Sequence, residues 1–232
     1  MTEIAALGPL EPLARASVTD QVFDALHGQV LSLALPPGTK LSESDVAKQL
    51  GVSRQPVRDA FYRLSKLGFL LIQPQKATTV SKIQIQDVRK ARFIRTAIEV
   101  EVMRLAAANF GPKDFNALQP ILDAQKAAVA KGDRSGFHRL DDLFHQVLCA
   151  RTGVDFVWDV IRESKAHTDR VRFLSLASGS QQAYADHIAI VAALKSGSTD
   201  GAVQAMRAHL GTIECIIEQL RETNHSWFQD EE

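Results

Sequence analysis

Cysteine is almost missing from this chain: its 232 residues include two, Cys149 and Cys215. Each stands alone in an apolar helical pattern, which excludes a disulfide framework and any C-x-x-C metal or redox motif and points to a reducing compartment. Long apolar runs are missing as well, since no stretch approaches the roughly 20 residues a membrane-spanning helix needs. The opening segment "MTEIAALGPLEPLAR" has neither a basic n-region nor an apolar h-region, so a cytoplasmic location is expected. Charge of one sign is also lacking: 27 basic residues balance 27 acidic ones, which removes bulk polycationic attraction to nucleic acid or membranes. No low-complexity tract is found, and 45% hydrophobic residues place the chain among ordinary globular proteins.

What is present is mostly helical periodicity broken by short turns, in a chain long enough for two modest domains, each with its own core. Thr19 can cap a first helix carrying Val22, Phe23, Leu26 and Val30. "LPPGTKLS" then forces a turn into a short extended piece. A second helix begins near Ser42 or Ser44, uses Val46, Ala47 and Leu50, and ends at Gly51, suited to a left-handed C-terminal position. A third has Ser53 as N-cap and Pro56 in its first turn, where the missing N–H has no intrahelical partner to lose.

At 100° per residue, Val57, Ala60, Phe61 and Leu64 gather on one side of that third helix, while Arg54, Gln55, Arg58, Asp59 and Tyr62 share the other. Two short helices meeting at a glycine turn, the second with a basic outer face, have the geometry of a helix-turn-helix. The local charge agrees: from Glu43 to Lys76, Lys48, Arg54, Arg58, Arg63, Lys66 and Lys76 face only Glu43, Asp45 and Asp59. "FLLIQ" and "ATTVS" around a polar turn at Pro74 to Lys76 predict a hairpin wing. From about Gln84 onward only helices are expected, with breaks at "GPKD", "KGDRSG", "RTGV", "SGSQ" and "SGSTDG".

These residues resemble the GntR family of bacterial winged-helix transcription regulators. The resemblance rests on "PPGTKLSESDVAKQLGVSRQPVRDAFYRLSKLGFL", close to the family pattern P-G-x-x-L-x-E-x-x-L-A followed by G-V-S-R-x-P-V-R-[ED]-A-[LF]. Two departures stand out. Leu33 replaces the glycine usual before the P-x-P-G turn, and Ala77 replaces the glycine that usually closes the wing, where a bare backbone would allow close approach to DNA. The remainder resembles the all-helical FCD effector-binding domain of the FadR-type branch, through Arg95 to Glu99, Asp141 to His145, "DHIAIVAAL" and "AVQAMRAHL".

Together these readings predict a mainly α chain: a flexible lead-in over 1–16, a winged helix-turn-helix domain over 17–81, a linker over 82–86, and an all-helical effector-binding and dimerisation domain over 87–232. Ser53, Arg54, Gln55, Arg58 and Lys76 are the candidate DNA contacts. Arg54, Gln55 and Arg58 are expected to enter the major groove, where arginine pairs with guanine O6 and N7, while Ser53, Lys76 and the wing hold phosphates. One head reads few base pairs, so a homodimer on two-fold symmetric operator DNA is expected.

The second domain carries a separate constellation. Asp141 and His145 are four apart and share one helix face. With Phe137, Leu140, Phe144 and Leu148 as core markers, Asp141 falls within the apolar arc and His145 just beyond it. His187 is central among Ala183, Tyr184, Ile190, Val191 and Leu194, and His209 lies in the arc of Ala202, Ala205, Met206 and Ile213. A rival pair, His138 and Asp142, falls outside the arc. One inward histidine is usually a satisfied core residue; three with an aspartate are most economically explained by a shared ion.

The expected cofactor is therefore a divalent transition metal ion, zinc foremost, with nickel, manganese, cobalt or iron(II) also fitting the donor set. In the resembling family, the remaining coordination positions face a pocket for a small organic acid. Arg95, on an inner arc with Ala91, Ile94, Ile98 and Val102, is the candidate effector contact, although an ion pair with Glu99 or Glu101 would also satisfy it. Arg170 and Arg172 could add an anion contact. The function implied is a ligand-responsive transcription regulator, a repressor that releases DNA when a small organic or sugar acid binds. The alternatives are a metal-dependent hydrolase carrying a DNA-binding head and a regulator that senses the metal itself.

Overall fold

The computed structural model describes residues 17–73 and 76–229, apart from the side chains of 176–178. The expected lead-in over 1–16, and Pro74 and Gln75 of the wing turn, lie outside the described residues. The chain divides into two compact units, one built on residues up to Val30 with Gly38–Ser81, the other on Leu31–Pro37 with Lys82 onward.

In the first unit, α1 (Val18–Leu31), α2 (Glu43–Leu50) and α3 (Arg54–Lys66) accompany a three-stranded antiparallel sheet. Its strands are β1 (Lys40–Leu41), β2 (Leu70–Leu71) and β3 (Thr78–Val80), in the order β1-β3-β2. Leu70 opposes Val80 and Leu71 opposes Thr79, which makes the wing hairpin. The core takes Val22, Leu26 and Val30 from α1 and Val57, Ala60, Phe61 and Leu64 from α3. Ser17 rather than Thr19 starts α1: its hydroxyl accepts from the Asp20 N–H at 3.1 Å, and the Asp20 carboxylate accepts from the Ser17 N–H at 3.3 Å. His27 of the same helix is half-buried and stacked on Phe23, with ring centroids 5.2 Å apart.

The second unit is a helical bundle of α4 (Ile85–Asn109), α5 (Pro112–Lys131), α6 (Arg134–Arg151), α7 (Val157–Lys195) and α8 (Thr199–Thr223). Caps fix where the site-bearing helices begin. The Gly136 N–H donates to Asp133 Oδ1 at 2.8 Å to start α6, and the Gly201 N–H donates to Ser198 Oγ at 3.0 Å to start α8. The core joins Met103 and Ala106 of α4, Leu118 of α5, Phe144 and Leu148 of α6, Ile161 and Ile190 of α7 and Met206 of α8. The break expected at "SGSQ" does not occur, because α7 runs through it for 39 residues. Contacts with α4, α5, α6 and α8 along its length outweigh the weak helix preference of the Ser/Gly stretch.

A second apolar cluster, with Ile83, Val88, Val171, Ile213, Ile217 and Phe228, closes the end of the bundle where α4 begins. There the chain after α8 returns to the linker. The Ile83 N–H donates to the Trp227 carbonyl at 2.8 Å, and the Gln229 N–H donates to the Ile83 carbonyl at 3.0 Å.

Leu33 is the only non-glycine residue with positive φ among the described residues, at 59°. The backbone thus takes the left-handed shape that the usual glycine would adopt freely, at a cost of about 1–2 kcal/mol for an L side chain. Leu33→Gly is expected to raise stability in urea unfolding by about 0.5–1 kcal/mol, part of the relief being lost to unfolded-state entropy. A net loss would show that the half-buried Leu33 side chain outweighs the strain.

Candidate metal centre and nucleic-acid interface

Four side chains from three helices converge in the bundle. Asp141 and His145 of α6, His187 of α7 and His209 of α8 are all buried, and one ligand atom from each lies within 4.8 Å of the others. Phe144 stacks on the His187 ring at 4.0 Å and closes one side against solvent.

The imidazole environments show which nitrogen each histidine offers. Gln125, fully buried on α5, donates through Nε2 to the Leu140 carbonyl at 3.0 Å, which fixes its amide with Oε1 toward His187. His187 Nδ1 donates to that Oε1 at 2.9 Å. His209 Nδ1 donates to Asp186 Oδ2 at 3.2 Å, and His145 Nδ1 meets Glu99 Oε2. With each Nδ1 facing an acceptor, the Nε2 lone pairs are left over. All three Nε2 atoms are buried without a hydrogen-bond partner. Three orphaned bases facing one carboxylate fit a cation of borderline softness, and this satisfies the chemical requirement for a transition-metal centre.

The charges agree. Burial alone would raise the Asp141 carboxyl, but Arg172 and the histidines hold it well below the usual carboxylate range. Arg172 grips it bidentately, Nη1 and Nη2 each donating at 2.9 Å. Burial and then His209 push His187 well below its ordinary value. Burial also lowers His209, against the opposing bond to Asp186.

The rival pair is accounted for differently. Asp142 pairs with the buried Lys165 at 2.9 Å, Lys165 also holds Asp169, and His138 Nε2 lies 3.9 Å from Asp169. That cluster has a cation built in.

Arg95 is buried, as its arc implied, although Ile94 of the same arc is exposed. Its Nε donates to Glu99 Oε1 at 2.6 Å, so the intramolecular pair forms with Glu99, while Glu101 pairs with Arg104. The Arg95 Nη2 is buried without a partner. Arg95 also lines a pocket with Arg92, Thr168, Arg172 and His209, a cationic rim directly against the histidine cluster. Arg170 is buried and does not line that pocket.

On α3, the side chains of Arg54 and Arg58 are 63% and 57% exposed, on the face opposite the buried Val57, Ala60, Phe61 and Leu64. Both reach Glu43 at the start of α2, at 3.4 and 3.3 Å. Gln55 donates to Asp59 at 2.9 Å. Ser53 occupies the N-cap position but its side chain makes no capping hydrogen bond, contrary to expectation. Lys76 is exposed at the wing.

Spacing within α6, α7 and α8 was enough to find the four candidate ligands. Gln125, Glu99, Asp186 and Glu43 were not singled out for these roles, because what they touch depends on helix crossings that no local pattern records. Glu99, four residues after Arg95, carried the one usable signal.

A winged helix-turn-helix unit and a helical bundle with a buried ligand cluster define a DNA-binding regulator with a sensory domain. Residues 18–80 match the family described as "Bacterial regulatory proteins, gntR family", and residues 91–212 match the FCD domain. Across its whole length the chain is 36% identical to the HTH-type transcriptional repressor RspR of Escherichia coli, also covered in full. It is 33% identical over 86% of its length to an HTH-type transcriptional regulator in an unstable DNA locus of Streptomyces ambofaciens, of which 85% is covered. The solved structure of E. coli McbR/YncC superposes with a TM-score of 0.73 at 25% identity, covering 88% of this chain and 99% of that one.

The chain belongs to the GntR family and carries an FCD domain. It is a ligand-responsive DNA-binding transcription regulator and not an enzyme, so the hydrolase alternative falls. Among the described residues, no helix is long and apolar enough to cross a membrane.

A histidine whose pKa is lowered by folding binds its proton more readily in the unfolded chain, so stability falls as pH drops below the unfolded value near 6.5. Taking the metal-free protein from pH 7 to pH 5 is expected to lower its stability, because burial lowers the proton affinity of both His187 and His209 in the folded chain. Asp141, with its lowered pKa, adds a further loss only below about pH 4. Urea unfolding at several pH values checks this, and His187→Gln should reduce the slope between pH 7 and 5; a flat wild-type profile would contradict it.

Proposed function

We propose that this regulator is a homodimeric cytoplasmic repressor that senses a small organic or sugar acid through a metal ion in its FCD domain and releases its operator on binding. The observation that carries the sensing half is the set of three buried, unpartnered Nε2 atoms facing Asp141. Asp141, His145, His187 and His209 hold a divalent metal, zinc first, with nickel, manganese, cobalt or iron(II) compatible with the same N₃O donors. Once bound, the metal supplies a Lewis-acidic centre for an effector carboxylate.

The protein groups around it define what that carboxylate meets. Arg95, which lines the pocket and whose Nη2 is buried without a partner, donates to the anion, and Arg92 and Arg172 add positive charge. The burial of the cluster excludes water, so each of these contacts gains strength. An effector shifts DNA binding only through unequal affinity for the DNA-competent and released states.

In the DNA-binding unit, Arg54, Gln55 and Arg58 enter the major groove while Ser53 and Lys76 hold phosphates. Supporting this are their placement on the exposed face of α3 and the wing, and the Ser53 hydroxyl left unspent on capping. Two heads on a symmetric operator supply the specificity one lacks.

Arg58→Ala is expected to cost about 1–3 kcal/mol at one operator base pair and to relax preference there, read by binding to single-substitution operator variants. Unchanged affinity and preference would remove Arg58 from the reading face. A thermal-shift screen of mono-, di- and sugar acids tests the sensing half. An acid at a hundred times its dissociation constant adds about 2.7 kcal/mol of stability, and chelation should abolish the shift. An acid whose effect survives chelation would separate effector from metal, and DNA affinity that follows metal concentration without any acid would make the ion itself the signal.

A further inference from the structure

Glu99 and Arg95 are among the most deeply buried charges of the bundle, with side chains 2% and 3% exposed. Neither belongs to the four-ligand cluster. A buried ion pair is a weak device for stability, because desolvation cancels most of the attraction and apolar replacements are often neutral or stabilising. Their presence therefore calls for another account, and the contacts supply one. The Glu99 carboxylate is divided, with Oε1 taking the Arg95 Nε–H at 2.6 Å and Oε2 set against His145 Nδ1.

The neighbouring histidines act as internal comparisons. His187 has its Nδ1 held by a neutral amide, Gln125, which shows that a buried anion is not needed to set a tautomer. His209 has a carboxylate, Asp186, whose side chain is 18% exposed and so partly screened by solvent. Only His145 has a carboxylate shut away from water, where its charge acts at low dielectric on the imidazole. A carboxylate that accepts from the far ring nitrogen of a ligating histidine raises its basicity and orients its ring.

We propose that Glu99, balanced by Arg95, is a positioning residue that sets the orientation and donor strength of His145 and thereby the metal affinity of the whole centre. This rests on the metal reading given above. Arg95 then has two tasks, its Nε stabilising the buried Glu99 anion while the side chain also lines the pocket beside His209.

Replacing Glu99 alone would strand the Arg95 charge, so the test uses paired substitutions. Arg95→Met/Glu99→Gln removes both charges but keeps an acceptor for His145 Nδ1, and Arg95→Met/Glu99→Leu removes the acceptor as well. Far-UV circular dichroism and melting of the metal-free full-length proteins report whether each folds. Zn²⁺ affinity is then measured against a chromophoric chelator with no effector present. The expected order is wild type, then the Gln variant, then the Leu variant, spanning about 10–100-fold although neither altered side chain touches the ion. Folded variants binding Zn²⁺ within about twofold of wild type would overturn the role of Glu99 and leave the metal centre standing. A wild-type protein that takes up no Zn²⁺ would overturn the metal reading and this role together.

Discussion

Everything in the sensory unit is arranged around one constraint: a carboxylate and three imidazoles buried among apolar side chains must each be given partners. Asp141 is met by Arg172, His187 by Gln125, His209 by Asp186 and His145 by Glu99, and Glu99 in turn by Arg95. Each partner comes from a different position on α4, α5 or α7, so the polar set fixes how those helices cross as firmly as the apolar core does. What it leaves unmet is equally specific. Three Nε2 atoms remain over, and they face one another. An added cation is the kind of partner such a set of bases and a carboxylate would accept.

The DNA-binding unit solves the reverse problem. Its charges are on the outside, where water satisfies them, and its small core is spent on holding α3 at a fixed angle to α2 and the wing. Val57, Ala60, Phe61 and Leu64 are almost wholly buried, so α3 is anchored along one stripe and free along the other. Arg54 and Arg58 on the free stripe share Glu43, an exposed contact of little energetic weight.

How much of this could be read from the chain follows from the range of each interaction. Periodicities of 2 and 3.6 residues are local, so the reading helix, the wing and the inward faces of Asp141, His145, His187 and His209 were legible. Gln125 was not, because its role depends on α5 crossing both α6 and α7. The "SGSQ" break was misread for a related reason: weak local propensity in the middle of α7 is overruled by neighbours far away in sequence. Ser53 and Ser17 show the limit at finer scale, since a hydroxyl at a helix start caps in one case and not in the other, which composition does not encode. Leu33 lies between these cases. The unusual residue was visible in the sequence, while its left-handed backbone needed the structure.

The pairing of Ile83 with the segment from Trp227 to Gln229 has a consequence for how the protein comes into being. Those hydrogen bonds join the linker to a part of the chain made only after all five helices of the bundle. Such a contact carries a large loop-closure entropy and forms late in folding. During synthesis the helix-turn-helix can therefore emerge and fold on its own while its tether is still unpaired. The backbone at Ile83 is fixed only when the bundle is finished, so a chain stalled within α8 would leave Ile83 without its paired segment.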